Sequence, residues 1–364
     1  MIMSAVIKIL LPFSWLYGAG TRLRNRLFDC GWLPSRRFPL PVICVGNLSA
    51  GGTGKTPHTE YIARLLLAGG HHVAVLSRGY GRRTKGFAEV HTDMDARDSG
   101  DEPLQMKRNL PRLTVAVCED RCKGIDLLLR SHPETDVIIL DDAFQHRYVK
   151  AGLNILLTDC SRPYFNDSLL PAGRLREPAS GARRANVIVV TKTVGKNPPF
   201  RQYRERIRPL QGQDLFFSTF GYGRLTPLFD KTDDNIRTLG YKDAEVLVVT
   251  GIARPDPLWT YVEHQGGNVH RLVFGDHHKF TSADVERINR AFTALPPSKR
   301  RMAVTTEKDA ARLRTQNGLL PELRASFFVQ PVSVRFLPSA EEQEKFNQII
   351  KDYVGKNSRN SAVD

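Results

Sequence analysis

The sequence predicts an α/β fold: a parallel sheet with helices on both faces, a smaller C-terminal α/β lobe after it and a helical segment before it. Three observations predict this. Short runs of Val, Ile and Leu alternate with helix-like stretches, as strands do when both of their faces are covered. A glycine-rich turn joins the first of these runs to a helical pattern. Beyond a stretch rich in proline, charge and glycine near residue 200, a fresh set of apolar runs begins. A chain of 364 residues also suits two domains.

Residues 2–17, IMSAVIKILLPFSWLY, carry Lys8 as their only charge and are interrupted by Pro12. The run falls short of the ~20 apolar residues that a spanning helix needs. In the following TRLRNRLFDCGW, Arg22, Arg24 and Arg26 interleave with Leu23, Leu27 and Phe28. Apolar side chains beside a basic cluster suit a helix lying on an anionic leaflet, peripheral or monotopic. A helix buried against the domain is the alternative. A secretory signal fits less well, because the basic residues follow the apolar run and no clear A-x-A site appears. Residues 1–38 are therefore expected to form a membrane-associating helical segment.

PVICVG at 41–46 reads as the first buried strand, and TPHTEYIARLLLAGG as a helix stopped by Gly69 and Gly70. HHVAVLS, LTVAV at 113–117, DVIILD at 136–141, LNILLTD at 153–159 and NVIVVTK at 186–192 continue the series. These define a core over residues 39–205. Residues 206–243 read as a linker. AEVLVVTG at 244–251, GNVHRLVF at 267–274 and RMAVTTEKD at 301–309 build a smaller lobe over 244–350. The tail, 351–364, ends in KNSRNSAVD and reads as disordered.

Lys and Arg total 53 against 38 Asp and Glu, a formal charge of +15. Such a surplus attracts nucleic acid, an anionic membrane or phosphate-bearing substrates. No stretch joins a basic stripe to regularly spaced aromatics, so a nucleic-acid-binding ATPase rests on charge alone and no nucleic acid is expected. The five cysteines are scattered, with no second pair to complete a zinc site beside Cys118 and Cys122. A reducing compartment suits them.

The most specific motif is VGNLSAGGTGKTPHTEYIARLL, residues 45–66. Ser49, Ala50, Gly51, Gly52, Thr53, Gly54, Lys55 and Thr56 form a phosphate-binding loop between strand and helix. Its glycines let backbone N–H groups wrap a phosphate. Lys55 reaches the β- and γ-oxygens, and the Thr56 hydroxyl suits Mg2+. The helix start adds positive potential. The fold is thus of the P-loop NTPase type, with ATP and Mg2+ expected. A strict G-x-x-x-x-G-K-[ST] has Gly where this chain has Ser49; the Gly51–Gly52 pair supplies part of that freedom. A P-loop GTPase or metal-insertion chaperone shares the loop and sheet. Its guanine-reading N-K-x-D would fall at Val190-Thr191-Lys192-Thr193, which lacks the Asp.

Phosphoryl transfer to a hydroxyl needs a metal clamp, positive surroundings and a proton acceptor. Asp141 and Asp142 end the apolar run DVIIL, where a Walker-B carboxylate belongs; a plain strand-ending Asp is the alternative. Asp101 and Glu102 lie in DSGDEPLQM, either in the site or as a solvated capping pair.

Nine ordered blocks then become recognisable: VGNLSAGGTGKTP, LSRGYGR at 76–82, GDEP at 100–103, CEDR at 118–121, LDDAFQHR at 140–147, LLPAGRLREP at 169–178, TGIARP at 250–255, GDHHKF at 275–280 and TTEKDA at 305–310. With these the chain closely resembles the tetraacyldisaccharide 4′-kinase family, the lipid A 4′-kinases of Gram-negative bacteria, from the N-terminal segment to about residue 340. Ala143 stands where that family usually has Gly. The resemblance implies transfer of the γ-phosphate of ATP to the 4′-hydroxyl of tetraacyldisaccharide 1-phosphate, forming lipid IVA. The setting it implies is the cytoplasmic face of the inner membrane, with no obligate protein partner. It implies Asp101 as the catalytic base and His277 as its supporting partner from the second lobe. His278 could serve instead, and a cap or core histidine is the plainer reading of His277. Lys55 would act on the transferred phosphate. Thr56, Asp142 and Gln145 would form the metal shell, braced by Asp141, with Glu177 nearby and Glu102 arranging metal or base. Arg78, Tyr80 and Arg121 would face the disaccharide lipid or its 1-phosphate, where a guanidinium fork pairs two oxygens at once; for the arginines, a surface salt bridge is the alternative. A base and its partner on different lobes would make closure of the cleft assemble the site.

Overall fold

The computed structural model describes residues 2–193, 198–229, 240–276 and 278–357. The chain opens with α1 (Ile2–Asp29), β1 (Val42–Asn47), α2 (Lys55–Ala68), β2 (Val73–Ser77), β3 (Ala88–Glu89), α3 (Ala96–Ser99), α4 (Asp101–Asn109), β4 (Thr114–Val117) and α5 (Arg121–Ser131). It continues through β5 (Val137–Asp141), β6 (Leu153–Asp159), β7 (Val187–Thr191), α6 (Phe200–Ile207), β8 (Asp214–Tyr222) and β9 (Thr226–Pro227). The second lobe adds β10 (Ala244–Thr250), α7 (Asp256–His264), β11 (Asn268–Val273), α8 (Ser282–Thr293), β12 (Arg300–Thr306), α9 (Glu307–Leu313), α10 (Pro321–Ala325) and β13 (Phe327–Gln330). β14 (Val332–Leu337) and α11 (Ala340–Lys356) end the described chain.

Two sheets result. A nine-stranded sheet has the order β14-β8-β7-β6-β1-β5-β2-β4-β3, parallel except where β14 meets β8 and β3 meets β4. A five-stranded sheet has the order β11-β10-β12-β13-β9, with β9 antiparallel. β1 lies between β5 and β6, so the loop that follows it leaves from the middle of the large sheet. Its residues alternate between two cores: Ile43 and Val45 pack into one, Val42 and Cys44 into the other. All six residues of β1 are buried, which explains the unbroken apolar reading.

Four expectations need correction. The supposed linker contains β8, whose Leu215, Phe216 and Phe217 are buried and whose main chain pairs with β7. The stretch read as belonging to the smaller lobe returns to the large sheet through β14, which pairs Val334 with Phe220 and Phe336 with Ser218. The tail is ordered through Lys356: Phe346 stacks on Phe336 at 4.3 Å, Val354 is buried and the Tyr353 hydroxyl donates to the Val42 carbonyl at 3.0 Å. Apolar anchors every three or four residues along α11 supply the ordering that polar composition at the extreme C-terminus obscures. Residues 358–364 lie outside the described residues. Nor does the apolar run at 301–309 stay a strand. Thr306 caps α9 by accepting from the Asp309 N–H, so the chain turns helical at Glu307.

The lobes meet along α4 and α9. Asn109 Nδ2 donates to Glu60 at 3.0 Å and to Glu307 at 2.7 Å, joining α4, the loop helix α2 and α9. Arg108 donates to the Ala311 carbonyl at 3.0 Å.

Candidate active site

Parallel strands all point one way, so the loops after their carboxyl ends gather at one edge of the sheet. Here that edge collects Ser49–Thr56 after β1, Arg78 and Tyr80 after β2, Arg121 after β4, Asp142 and Gln145 after β5, and Lys192 after β7. The loop after β1 is fixed from several sides. Ala50 N–H donates to the Arg174 carbonyl at 2.7 Å, and Asn47 Nδ2 to the Thr53 hydroxyl at 2.9 Å. Lys192 donates to the Gly52 carbonyl and to Asp159, the latter at 2.8 Å. Gly51 and Gly54 take φ of 117° and 88°, a region that costs other residues energy. A Cβ on Gly54 would also come within 2.6 Å of Phe220 on β8. His58 completes the anchoring. Its Nδ1 donates to the Gly54 carbonyl at 2.7 Å, which leaves Nε2 to accept from Ser218 at 3.0 Å. Burial drops its pKa to about 4, so it stays neutral in this role.

The two aspartates after β5 have opposite electrostatic settings. Asp141 is fully buried and accepts from Thr59 at 3.1 Å and Ser77 at 3.4 Å. Burial raises its pKa well above the usual range, and the nearby Glu102 and Asp142 charges add to the rise. Asp142 has φ 48°, a left-handed turn that Asp tolerates better than most residues. The turn aims its carboxylate at Lys55 Nζ, 3.6 Å away, and at Arg176 Nη1, 3.0 Å away. Burial opposes its charge, but Lys55 and Arg176 outweigh burial and hold the pKa below the ordinary value. One carboxyl is thus held charged beside the lysine while its neighbour is pushed toward the protonated form. Ala143 needs no glycine, since positive φ falls on Asp142 and not on the residue after it.

Thr56 is buried at the first turn of α2. Gln145 Nε2 donates to the Asn47 carbonyl at 2.8 Å and to Glu177 at 2.9 Å. Glu177 is buried and also accepts from Arg184 at 2.8 Å and from Asn25 of α1 at 2.9 Å. Its carboxylate therefore braces Gln145 and ties α1 to the site. Among the described residues, no three His, Cys, Asp or Glu side chains gather as a self-sufficient metal cage.

Arg121 is buried, and its Nη1 reaches only carbonyls, those of Cys118 and Glu119, at 3.0 and 3.2 Å. Its Nε is buried without a hydrogen bond, and burial lowers the guanidinium pKa. The surface salt-bridge alternative does not describe it. Arg78 and Tyr80 are exposed, Tyr80 to 85%. His146, in the same region, falls to a pKa of about 4 through burial and the charge of Arg121.

Asp101 and Glu102 open α4 and face the second lobe. Glu102 accepts from Lys308 at 2.7 Å, and Asp101 Oδ2 accepts from Arg312 Nε at 3.0 Å. Burial works against the Glu102 charge, yet Lys308 and Lys55 bring its pKa below normal. His277 lies outside the described residues. His278 Nε2 is 2.9 Å from Asp284, its ring stacks on Phe274 and Asp284 completes the cap of α8.

This geometry can be set beside known proteins. The family model described as "Tetraacyldisaccharide-1-P 4'-kinase" matches residues 6–354. The chain belongs to the tetraacyldisaccharide 4′-kinase family. It is 48% identical to a tetraacyldisaccharide 4′-kinase of Phocaeicola vulgatus over 97% of both chains. It is 47% identical to one of Bacteroides fragilis over 98% of this chain and 95% of that one. A crystal structure of LpxK from Aquifex aeolicus in complex with ATP shares 31% identity and superposes with a TM-score of 0.73, covering 97% of this chain and all of that one. The P-loop α/β fold with its smaller second lobe is therefore that of the 4′-kinase family.

Sequence reasoning about this 4′-kinase-family chain passed over several site groups. Arg176 and Arg184 stand inside or beside the LREP block, yet only its glutamate drew notice. Arg312 lies two residues past TTEKDA, and no local pattern links it to Asp101. Asn47 lies inside the phosphate-loop motif and Lys192 in the stretch weighed for guanine reading, but neither stood out there as a group that holds the loop.

Proposed function

We infer that this chain transfers the γ-phosphate of ATP to the 4′-hydroxyl of tetraacyldisaccharide 1-phosphate, forming lipid IVA in lipid A biosynthesis. The observation that carries this reading is one sheet edge bearing a phosphate loop, a charged carboxyl beside one pushed toward its protonated form, and a buried arginine with no ion pair among the described residues. The loop N–H groups and Lys55 hold the donor's phosphates. Mg2+ fits the oxygen donors of Thr56, Asp142 and Gln145, because it keeps waters and phosphate oxygens and asks for few carboxylates. Bound there, it would neutralise charge on the phosphates. Asp141 and Glu177 brace that set. Asp101 accepts the proton of the 4′-hydroxyl, with His277 as its partner and Glu102 arranging base or metal. Arg78, Tyr80 and Arg121 receive the glycolipid and its 1-phosphate. Arg121 suits an anion best, since a buried guanidinium with no ion pair among the described residues gains most from one.

The test is direct. Purified protein, γ-labelled ATP and tetraacyldisaccharide 1-phosphate are expected to yield labelled lipid, with ATP preferred to GTP. Label released only as inorganic phosphate, or equal use of GTP without lipid, would favour the GTPase reading instead.

The acceptor is a lipid, and α1 is built to meet one. Its inward face carries Ser14, Gly18 and Asn25: the Ser14 hydroxyl donates to the Leu169 carbonyl at 3.0 Å, and a Cβ on Gly18 would crowd Leu169. Its outward face carries Phe13, Trp15 and Leu16, with Trp15 70% and Leu16 73% exposed. This inverts the pattern of a helix on a water-soluble domain. No described helix is long and apolar enough to cross a membrane. We propose that this exposed apolar face seats the chain on a membrane surface, and that ATP as the donor assigns it to the cytoplasmic face of the inner membrane. Deleting residues 2–17 would also remove Tyr17, whose hydroxyl donates to the Arg176 carbonyl at 2.6 Å in the site. Substitution of Phe13, Trp15 and Leu16 by serine is cleaner. It is expected to move the protein from anionic vesicles to the supernatant in flotation assays. Unchanged flotation would assign the attachment to another segment.

A further inference from the structure

Arg312 crosses from α9 to Asp101 at the first turn of α4, a contact between lobes that spans 211 residues of sequence. It is not a loose surface arginine: its side chain is 8% exposed. Two guanidinium nitrogens, Nε and Nη2, donate to the same carboxylate oxygen, Oδ2. The remaining nitrogen, Nη1, lies 3.4 Å from the His278 carbonyl and 3.5 Å from Asp309. Asp309 is fully buried and is itself fixed, accepting from the Gly251 N–H at 2.9 Å and the Thr306 hydroxyl at 2.8 Å. The guanidinium is therefore held at its root by the second lobe and at its tip by the first.

We propose that Arg312 is a positioning residue for phosphoryl transfer, holding the Asp101 carboxylate in the orientation from which it takes the acceptor's proton. The proposal rests on the reading of Asp101 as proton acceptor. A carboxylate gripped at one oxygen by two fork-related donors loses its torsional freedom, which a single ammonium cannot achieve as well. Displacement of a reacting group by about 1 Å costs about 10²-fold in rate. Because the arginine belongs to the other lobe, Asp101 is aimed correctly only while α4 and α9 stay in register.

Arg312→Gln and Arg312→Lys test this, with kcat and KM measured for both substrates and thermal unfolding followed in parallel. Arg312→Gln is expected to lower kcat by roughly 10²-fold with KM for ATP changed less than about threefold. Arg312→Lys, which keeps a cation but not the fork, is expected to lose roughly tenfold. Should Arg312→Gln fail to fold, the lysine variant alone decides, by a kcat loss above about threefold at unchanged KM for ATP. A loss smaller than these, equal losses in two folded variants, or a loss matched by a rise in KM for ATP overturns the proposal. Asp101→Asn run alongside separates the two ideas: full activity there removes the base itself, whatever Arg312 does.

Discussion

Lys55→Ala is expected to lower kcat by roughly 10²- to 10³-fold, the range for losing one preorganised group that stabilises transition-state charge. The Lys55 side chain is 10% exposed and stands 3.6 Å from Asp142, at the start of the helix after the loop. Water is scarce there, so its charge acts on a transferring phosphoryl group with little screening. Alanine removes that charge without disturbing the loop. Gly51 and Gly54 keep their turns, Asn47 still holds Thr53, and His58 still holds the Gly54 carbonyl. Asp142 also retains Arg176 at 3.0 Å, so the carboxylate is not stranded. KM for ATP is expected to rise less than kcat falls, because the backbone N–H groups continue to bind phosphate. Steady-state kinetics with labelled ATP reads both quantities. A kcat within threefold of the unaltered protein would detach this loop from catalysis.

That much was legible because the loop is local. Strand, glycines, lysine and helix follow one another within residues 45–66, and each acts on its immediate neighbours in the chain. The buried strands were legible for a similar reason: β1, β2, β5 and β7 are covered on both faces, so each reads as an unbroken apolar run up to its polar C-terminal residue. β8 was not legible. Its first half carries Leu215, Phe216 and Phe217, but its second half is only half-buried and enters a proline- and charge-rich context. It is a strand because β7 and the returning β14 hydrogen-bond to it from either side. That pairing with β14 joins segments more than a hundred residues apart, which no periodicity discloses. The same strand supplies Phe220 against Gly54 and Ser218 against His58, so part of the loop's support was hidden with it. The start of α9 was a different kind of miss. Its Thr306–Asp309 cap is a readable signal, masked by the apolar run directly before it. Arg312 inherits both difficulties, lying on that helix and acting on a carboxylate in the other lobe.

The second large effect concerns that carboxylate. Asp101→Asn is expected to lower kcat by about 10²- to 10⁴-fold, the usual contribution of a positioned general base. The amide keeps the shape of the side chain and an oxygen for Arg312, but it cannot take a proton from the 4′-hydroxyl. ATP binding is expected to change little, since Asp101 starts α4 and lies outside the phosphate loop. Some loss of stability must accompany the change, because Arg312 is nearly buried and would face a neutral partner. Asp309 and the His278 carbonyl remain beside the guanidinium and soften that loss. Thermal unfolding measures the structural effect, and turnover below the unfolding range measures the chemical one. If the two fell together and the folded fraction kept its normal kcat, Asp101 would be a fastener between lobes. If the variant folds, binds ATP normally and still fails to phosphorylate the lipid, the missing step is proton removal, and the pairing of a first-lobe base with a second-lobe arginine acquires its purpose.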